Sequence, residues 1–281
     1  MDHMVLVIDE SGAKGYANKG EQEESDVGVM AGFIYTRLEM LDIETTLQKI
    51  LSSHNISINN KIHITELNNS NSLRESFFNA FQERKLQWFF RAIYSEGFHQ
   101  SEFKEDRGGD FNEKASLHVE LFRQMFLYSL SMAASVNKKN LNILVVTDTI
   151  DTSILKKFTR EAEHIAKIFM NVKRNYFHYV KNEKTGKFEK KKFNVLTTSD
   201  SIPKFESIQF KIICKTTPLT LAADILANSV YFYLKKNKKG KSSHLKNINA
   251  ISGHPLANSA FIQKDENDEL SLIDIVYRRE R

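Results

Sequence analysis

The chain has 281 residues, of which 41% are hydrophobic and 27% are charged, and this balance excludes a disordered or fibrous protein. Its single cysteine excludes an intrachain disulfide, and its 3 prolines and 11 glycines argue against a low-complexity region. Because we find no signal sequence and no apolar run long enough to cross a bilayer, we expect a cytoplasmic protein without a membrane partner.

The first predicted element is a strand at residues 4–8, where five consecutive apolar residues indicate burial on both faces. The strand leads directly into Asp9, Glu10, Ser11 and Gly12. A carboxylate at such a rim needs water, a hydrogen-bond donor or a cation beside it, and ligands of open α/β sheets bind at strand ends. The alternative is that these four residues only form a turn, because Asp, Ser and Gly favour turns.

Strands and helices alternate along the rest of the chain. We expect further strands at 27–35, 86–94, 141–147 and 208–214, with 61–67 short and extended and 176–193 a protruding basic hairpin. We expect helices at 38–53, 72–85, 113–136, 152–170 and 218–236. Cys214 is expected to be a small core residue. The pattern predicts an α/β fold with a mixed sheet of about five strands, flanked by helices on both faces.

The length suits one large domain with insertions. We expect the domain to span residues 1–249, with insertions at about 99–112 and 173–195. Residues 250–281 are expected to form a C-terminal extension packed on the same domain.

Positive charge is concentrated in two segments of a chain whose net charge is only +5. Residues 181–192 hold six lysines and two glutamates, and residues 235–246 hold six lysines and no acid. Such patches attract polyanions, so we predict a nucleic-acid partner; two solvated lysine-rich loops are the alternative. The lysines expected to contact nucleic acid are Lys184, Lys187, Lys190, Lys191, Lys192, Lys235, Lys236, Lys238, Lys239 and Lys241.

Four acids stand against an apolar background: Asp9 and Asp148 follow strands, Glu66 ends the segment 61–67, and Asp224 lies in the last helix. That helix is apolar nearly all round, so an ionised Asp224 is costly unless it is paired. A divalent metal shared with other acids would pair it. The alternative is a hydrogen bond from Asn228, Tyr231 or a nearby lysine.

Acids at strand ends and on a flanking helix match the carboxylates of a two-metal phosphoryl-transfer site. The ion expected for such oxygen ligands is Mg²⁺ or Mn²⁺. No phosphate-binding P-loop, nucleophile elbow, paired-cysteine motif or dinucleotide fingerprint is present in the sequence.

Four motifs together resemble the bacterial family known as domain of unknown function 3800. They are VIDESG at 7–12, KIHITEL at 61–67, VTD at 146–148 and LTLAADILAN at 219–228, and the resemblance covers residues 4–236. Because that family is regarded as ribonuclease H-like, the resemblance implies a ribonuclease H-like mixed sheet with metal-binding acids. By motif, Asp9 is implied as the bridging ligand, Asp148 as the second strand-end ligand and Asp224 as the ligand on the last helix.

The resemblance leaves the fourth acid open. Glu66 is one choice. In ribonuclease H the corresponding glutamate lies on the helix after the third strand. In this chain that helix is expected at 113–136, where Glu113 or Glu120 would be the equivalent residue. His63 is either a metal or phosphate contact or a structural hydrogen-bonding residue, and the structural role is preferred. The accessory residues of the site are Glu10, Ser11, His63, Glu120 and Asn228.

The sequence therefore predicts a metal-dependent nuclease that cuts RNA, DNA or a hybrid, with Asp9, Glu66, Asp148 and Asp224 as its catalytic acids. The alternative is a non-catalytic nucleic-acid-binding protein on the same scaffold. The resembling family often occurs in mobile or defence-linked bacterial genetic contexts, which also implies an anti-phage or toxin effector. A regulatory protein partner or a homo-oligomer would then inhibit its nuclease activity.

Overall fold

Seven strands and five helices make up the described part of the computed structural model. The strands β1 to β7 span Asp2–Gly12, Val27–Thr36, Phe89–Tyr94, Asn140–Thr147, Arg174–Lys181, Phe188–Val195 and Ser207–Cys214. The helices α1 to α5 span Arg37–Ser53, Ser70–Glu83, Ser116–Ala134, Thr152–Phe169 and Pro218–Asn237. The structure describes residues 2–13, 27–57, 63–67, 70–94, 116–134, 139–170, 174–181, 185–195, 204–237, 251 and 253–261.

Five of the strands form one mixed sheet in the order β3-β2-β1-β4-β7. Strand β2 runs antiparallel to both β1 and β3, whereas β1, β4 and β7 are mutually parallel. Strands β5 and β6 form a separate antiparallel hairpin between α4 and β7. The predicted α/β class, the five-strand mixed sheet and the basic hairpin are confirmed, and the arrangement is compatible with a ribonuclease H-like fold.

The two faces of the sheet are covered by different helices, because successive side chains of a strand point to opposite faces. Val5 and Val7 of β1 pack in the layer formed by α1, α2 and α5. Leu6 and Ile8 pack in the layer formed by α3 and α4. Residue parity along β1 therefore decides which helices a side chain meets.

Strand β1 continues through Gly12 instead of turning after Ile8. Asp9 pairs with Ala31 of β2, and the pairing continues to the end of the strand. The parallel pairing with β4, by contrast, ends at Ile8 opposite Thr147. The turn alternative is therefore wrong: Asp9 is inside a strand on its β2 side and at the end of the ladder on its β4 side.

Helix α5 is buried from residue 218 to residue 230, which confirms the expectation of a helix apolar nearly all round. Its start is fixed by a reciprocal pair in which the Thr220 N–H donates to Thr217 Oγ1 and the Thr217 N–H donates to Thr220 Oγ1, at 3.2 and 2.9 Å. Despite its apolar character, neither α5 nor any other helix of the described ranges is long and apolar enough to cross a membrane.

Three local expectations are corrected. Ile64–Glu66 is a 3-10 helical turn rather than an extended segment. Strand β3 begins at Phe89, because Trp88 instead forms an isolated bridge with Ala260. Cys214 is exposed, because it ends the edge strand β7. The expected insertion at 99–112 lies outside the described residues.

Part of the C-terminal segment packs against the main sheet and α5. The Trp88 indole Nε1–H donates to the Leu256 carbonyl at 3.0 Å. His254 Nε2 lies 2.8 Å from Ser229 Oγ of α5. The rest of the expected extension, residues 250, 252 and 262–281, lies outside the described residues.

Candidate functional site

Asp9 and Asp224 are brought together where β1 meets α5. Asp9 shares its parity with Val5 and Val7, so its side chain enters the layer that contains α5. Both carboxylates are buried, with exposed fractions of only 4% and 6%. Burial and the charge of Glu10 raise the pKa of Asp9, and the negative charge of Asp224 adds to the increase, so the two acids lie within electrostatic reach of each other.

The surroundings of Asp9 disfavour its ionised form. Burial raises the pKa of Asp9 well above its usual range, and the negative charges of Glu10 and Asp224 raise it further. A hydrogen bond with the Glu10 side chain adds to this increase, and one from the Glu10 main chain opposes it. The site therefore concentrates negative charge in a place shielded from water, and a bound cation would relieve this repulsion.

Asp224 is oriented by the turn Ile64–Glu66. Its Oδ2 accepts the Ile64 N–H at 2.7 Å and lies 3.9 Å from His63 Nδ1. Burial raises the pKa of Asp224, whereas the Ile64 N–H and the neighbouring His63 and Arg74 side chains lower it. The hydrogen-bond donor is thus a main-chain amide and not the Asn228, Tyr231 or lysine side chain of the sequence-based alternative.

Asp148 occupies the corresponding position on the neighbouring strand. Ile8 and Thr147 are the last paired residues of β1 and β4, so Asp9 and Asp148 each follow directly after that pair. Asp148 is 6% exposed, and its Oδ1 accepts the Thr216 hydroxyl at 2.8 Å. The two strand-end carboxylates predicted from sequence therefore lie at one edge of the sheet.

Glu66 and Glu120 bond to their own neighbours. Glu66 is exposed, and its Oε2 accepts the His63 N–H at 3.4 Å, inside the same turn. Glu120 lies on α3, in the layer opposite α5, where it accepts a 2.6 Å hydrogen bond from Arg123 Nε and a bond from Gln124. Glu113 lies outside the described residues, so the identity of a fourth acid stays a prediction.

Glu10 lies at the end of β1 beside Asp9, whose carboxyl group hydrogen-bonds to the Glu10 side chain, and its own carboxylate also reaches α3. There its Oε2 lies 3.4 Å from Nε2 of His118, a residue of α3 that is 1% exposed. The His118 ring also meets the Phe158 ring edge-on, with 4.9 Å between centroids. The pattern of the sequence did not indicate this pair, because a single histidine in a helix does not report which strand it faces.

Arg74 is a second residue that sequence reasoning missed. Its Nη2 donates to Asn228 Oδ1 at 2.5 Å, and Asn228 Nδ2 lies 3.5 Å from Ser11 Oγ. Burial lowers the pKa of the Arg74 guanidinium, while the charge of Asp224 raises it. A fixed positive charge therefore lies beside the acids, carried by a helix whose sequence shows only an ordinary amphipathic pattern.

The predicted nucleic-acid-binding lysines are only partly described. In the hairpin, Lys187 and the run 190–192 are exposed. Lys235 and Lys236 are exposed in the last turn of α5. The remaining lysines lie outside the described residues: Lys184, Lys238, Lys239 and Lys241.

The donor chemistry of the site fits Mg²⁺ or Mn²⁺. Within the described residues, no three Asp, Glu, His or Cys side chains form a group that would hold a metal ion by themselves. Mg²⁺, however, is usually held by one or two carboxylates, with water and substrate phosphate completing its shell. Asp9 and Asp224 are such a pair: burial raises the pKa of both, and neighbouring negative charges raise it further.

Comparison with protein-family models and with curated proteins found no match to the chain. The family suggested by the four motifs therefore stays a prediction.

Proposed function

We propose that this chain is a divalent-metal-dependent nuclease that hydrolyses phosphodiester bonds of RNA or DNA. The observation that carries the proposal is the buried pair Asp9 and Asp224, with Asp148 at the same edge of the sheet. Two buried carboxylates within electrostatic reach destabilise a fold unless a proton or a cation neutralises them. A divalent cation is the partner that would keep both ionised at neutral pH.

Asp9 and Asp224 would hold the ion, and Asp148 would supply a further carboxylate from the adjacent strand. When bound, the ion lowers the pKa of a coordinated water and neutralises charge on the phosphate. The chain prepares this arrangement through fixed donors: the Ile64 N–H orients Asp224, and the Thr216 hydroxyl orients Asp148. Arg74 adds a positive charge that favours a phosphate next to the acids.

One observation favours a second candidate, a nucleic-acid-binding protein without catalysis. Glu66 and Glu120 are each engaged by their own neighbours, and the described residues contain no preformed group of three metal ligands. A scaffold that binds but does not cut predicts affinity for nucleic acid that weakens steeply with salt. It predicts no effect of Mg²⁺ or Mn²⁺ on thermal stability.

The test compares wild type with Asp9→Asn and Asp224→Asn. Thermal melting is measured in EDTA, Mg²⁺ and Mn²⁺, followed by cleavage assays on RNA, DNA and hybrid substrates. An ion at 100 times its Kd stabilises the native state by about 2.7 kcal/mol, so the melting temperature of wild type should rise. Both variants should lose this rise and lose cleavage. Because asparagine keeps an oxygen for the Ile64 N–H, Asp224→Asn should still fold.

Asp42→Asn is the matched control, since Asp42 is an exposed acid of α1 that pairs with Arg84. It should keep both the metal response and the cleavage of wild type. Cleavage retained in both site variants would remove the site assignment. Salt-dependent binding without metal response or cleavage would instead favour the non-catalytic protein.

The effector role in phage defence or toxicity belongs to the same proposal. If it is correct, expression of wild type should slow bacterial growth, and Asp9→Asn should restore growth. Normal growth with wild type at a matched protein level would count against it.

A further inference from the structure

An exposed aromatic side chain, Phe232, lies on α5 eight residues beyond Asp224. Phe232 is 50% exposed and is one of three large hydrophobic side chains that are exposed within the described ranges. The other two, Leu38 and Leu41, lie on α1. Single exposed hydrophobic side chains are common on protein surfaces, so the case for a function of Phe232 rests on its neighbours.

Phe232 is aligned with the carboxylate site along the helix axis. Asp224, Asn228 and Phe232 are spaced at four-residue intervals, so they lie on successive turns of one side of α5. Eight residues of helix correspond to about 12 Å. The Phe232 ring therefore lies about two helical turns from Asp224 along α5.

Arg74 links the ring to the acids. Its guanidinium carbon lies 5.9 Å from the centroid of the Phe232 ring, and its Nη2 is held by Asn228 Oδ1. Its Nε is buried and has no hydrogen-bond partner among the described residues. The guanidinium is held at Nη2 beside the acids, and its positive charge suits an anionic phosphate oxygen as ligand.

The same side of α5 continues into more aromatic and basic groups. The Tyr231 ring lies 5.6 Å from that of Phe232. Lys235 Nζ lies 3.1 Å from the Tyr231 hydroxyl and 5.5 Å from the centre of its ring. We call Arg74, Asn228, Tyr231, Phe232 and Lys235 together the α5 surface.

We propose that the α5 surface binds a single-stranded polynucleotide, with Phe232 stacking on a base and Arg74 contacting a phosphate next to Asp9 and Asp224. This inference rests on the proposed nuclease function and specifies its substrate. A protruding ring can stack only on a base whose face is open, and in a duplex those faces are covered by neighbouring bases. The combination of aromatic ring, guanidinium and lysine is typical of single-strand binding.

The first experiment measures binding in EDTA, so that no cleavage takes place. The probes are a fluorescein-labelled single-stranded DNA of mixed sequence, its RNA counterpart and the matching duplexes. Phe232→Ala removes the stacking side chain and should weaken single-strand binding at least about five-fold. Leu38→Ala, which removes another exposed apolar side chain, should bind as wild type does. Duplex binding should change little in Phe232→Ala.

Arg74→Gln tests the phosphate contact. Loss of one such contact lowers the slope of log Kd against log salt by about 0.7 for a single strand. Arg160→Gln removes the same charge from an exposed position of α4. It should keep the wild-type slope of log Kd against log salt. Equal slopes for Arg74→Gln and wild type would overturn the phosphate contact.

A spectroscopic reporter separates stacking from general attraction. The chain has one tryptophan, Trp88, whose side chain is fully buried. In Phe232→Trp, the accessible fluorescence therefore arises from position 232, and a stacked base should quench it on addition of single strand but not of duplex. Absence of quenching despite binding would overturn the proposal.

The outcomes keep the two proposals apart. If the chain cuts nucleic acid but Phe232→Ala binds single strands as tightly as wild type, the α5 surface is wrong and the nuclease proposal stands. If Phe232→Ala and Arg74→Gln weaken single-strand binding in a chain that never cuts, the α5 surface stands and catalysis is wrong. Equal and undiminished binding of duplex and single strand in all variants overturns the α5 surface.

Discussion

Side-chain direction decides the chemistry of individual residues in this protein. Asp9 and Glu10 are adjacent acids, yet one meets Asp224 on α5 and the other meets His118 on α3. The two side chains also hydrogen-bond to each other, so Glu10 lies between the candidate site and His118.

His254 shows how the setting of one residue controls its charge. Its Nδ1 accepts the Leu256 N–H at 3.0 Å, and its Nε2 lies 2.8 Å from Ser229 Oγ. The Ser229 hydroxyl in turn donates to the Leu226 carbonyl at 2.8 Å. Burial lowers the pKa of His254 to about 4, so the ring is neutral near pH 7. Protonation of Nδ1 would remove the bond from Leu256.

This lowered pKa predicts acid destabilisation between about pH 6.5 and pH 4. Below the ordinary histidine pKa of about 6.5, the unfolded chain takes up a proton that folded His254 does not, so the free energy of unfolding falls as the pH falls. The loss is at most roughly 3 kcal/mol. Urea denaturation of wild type and His254→Asn across this range measures it. The variant should show a flatter profile, whereas His3→Asn, at an exposed position, should follow wild type; a parallel profile for His254→Asn would contradict the assignment.

At the scale of elements, the position of Asp9 depends on how closely β1 and β2 approach. Gly32 of β2 pairs with Ile8. A Cβ atom at residue 32 would lie 2.0 Å from the Val7 carbonyl oxygen and 3.0 Å from Ile8 Cγ2. Because the nearer atom belongs to the main chain of a central strand, it cannot move aside without shifting the strand that carries Asp9.

Gly32→Ala should therefore lower the free energy of unfolding by at least about 2 kcal/mol. It should also weaken the metal-dependent rise in melting temperature, because β1 carries Asp9. Chemical denaturation and melting with Mg²⁺ measure the two effects. Gly186→Ala is the control: its Cβ would meet no atom within 4 Å, and only its positive φ of 67° is strained. A Gly32→Ala chain as stable as Gly186→Ala would show that the strands adjust freely.

At the scale of the whole molecule, residues 253–261 tie the end of the described chain to the edge of the sheet. The Trp88 N–H donates to the Ser259 carbonyl at 3.3 Å, and the Phe261 N–H donates to the Trp88 carbonyl at 2.6 Å. The Trp88 ring is fully buried against His254, with 5.4 Å between ring centroids. Since Trp88 is the single tryptophan, its fluorescence reports whether this segment is docked.

Removal of residues 250–281 should shift the tryptophan emission to longer wavelength and lower the denaturation midpoint, because it exposes Trp88. Leu256→Ala is the milder variant, and it should cost about 2 to 5 kcal/mol, since Leu256 is 1% exposed. Fluorescence spectra recorded with the urea titration measure both. Unchanged emission in the truncated chain would contradict the expected packing of the C-terminal extension on the domain.

Patterns of neighbouring residues were sufficient for most elements of the fold. The apolar runs of β1 and β4, the buried helix α5 and the basic hairpin follow from local periodicity, which is a property of consecutive residues. Expectations were less accurate where a distant segment intervenes. Trp88 leaves the strand pattern because it pairs with Ala260, and Ile64 adopts a turn whose main-chain amide bonds to Asp224.

By itself, the sequence determined that this is an α/β chain and that Asp9, Asp148 and Asp224 stand at apolar elements where a carboxylate needs a partner. Only the tertiary structure decided that Asp9 meets Asp224, that Glu120 bonds to Arg123, and that Arg74 joins the site. Helix and strand propensities, and the apolar pattern that predicts burial, depend on residues close in sequence. Encounters between side chains depend on sheet register, on strand parity and on which helix covers which face, and these are set by contacts between segments far apart in the chain.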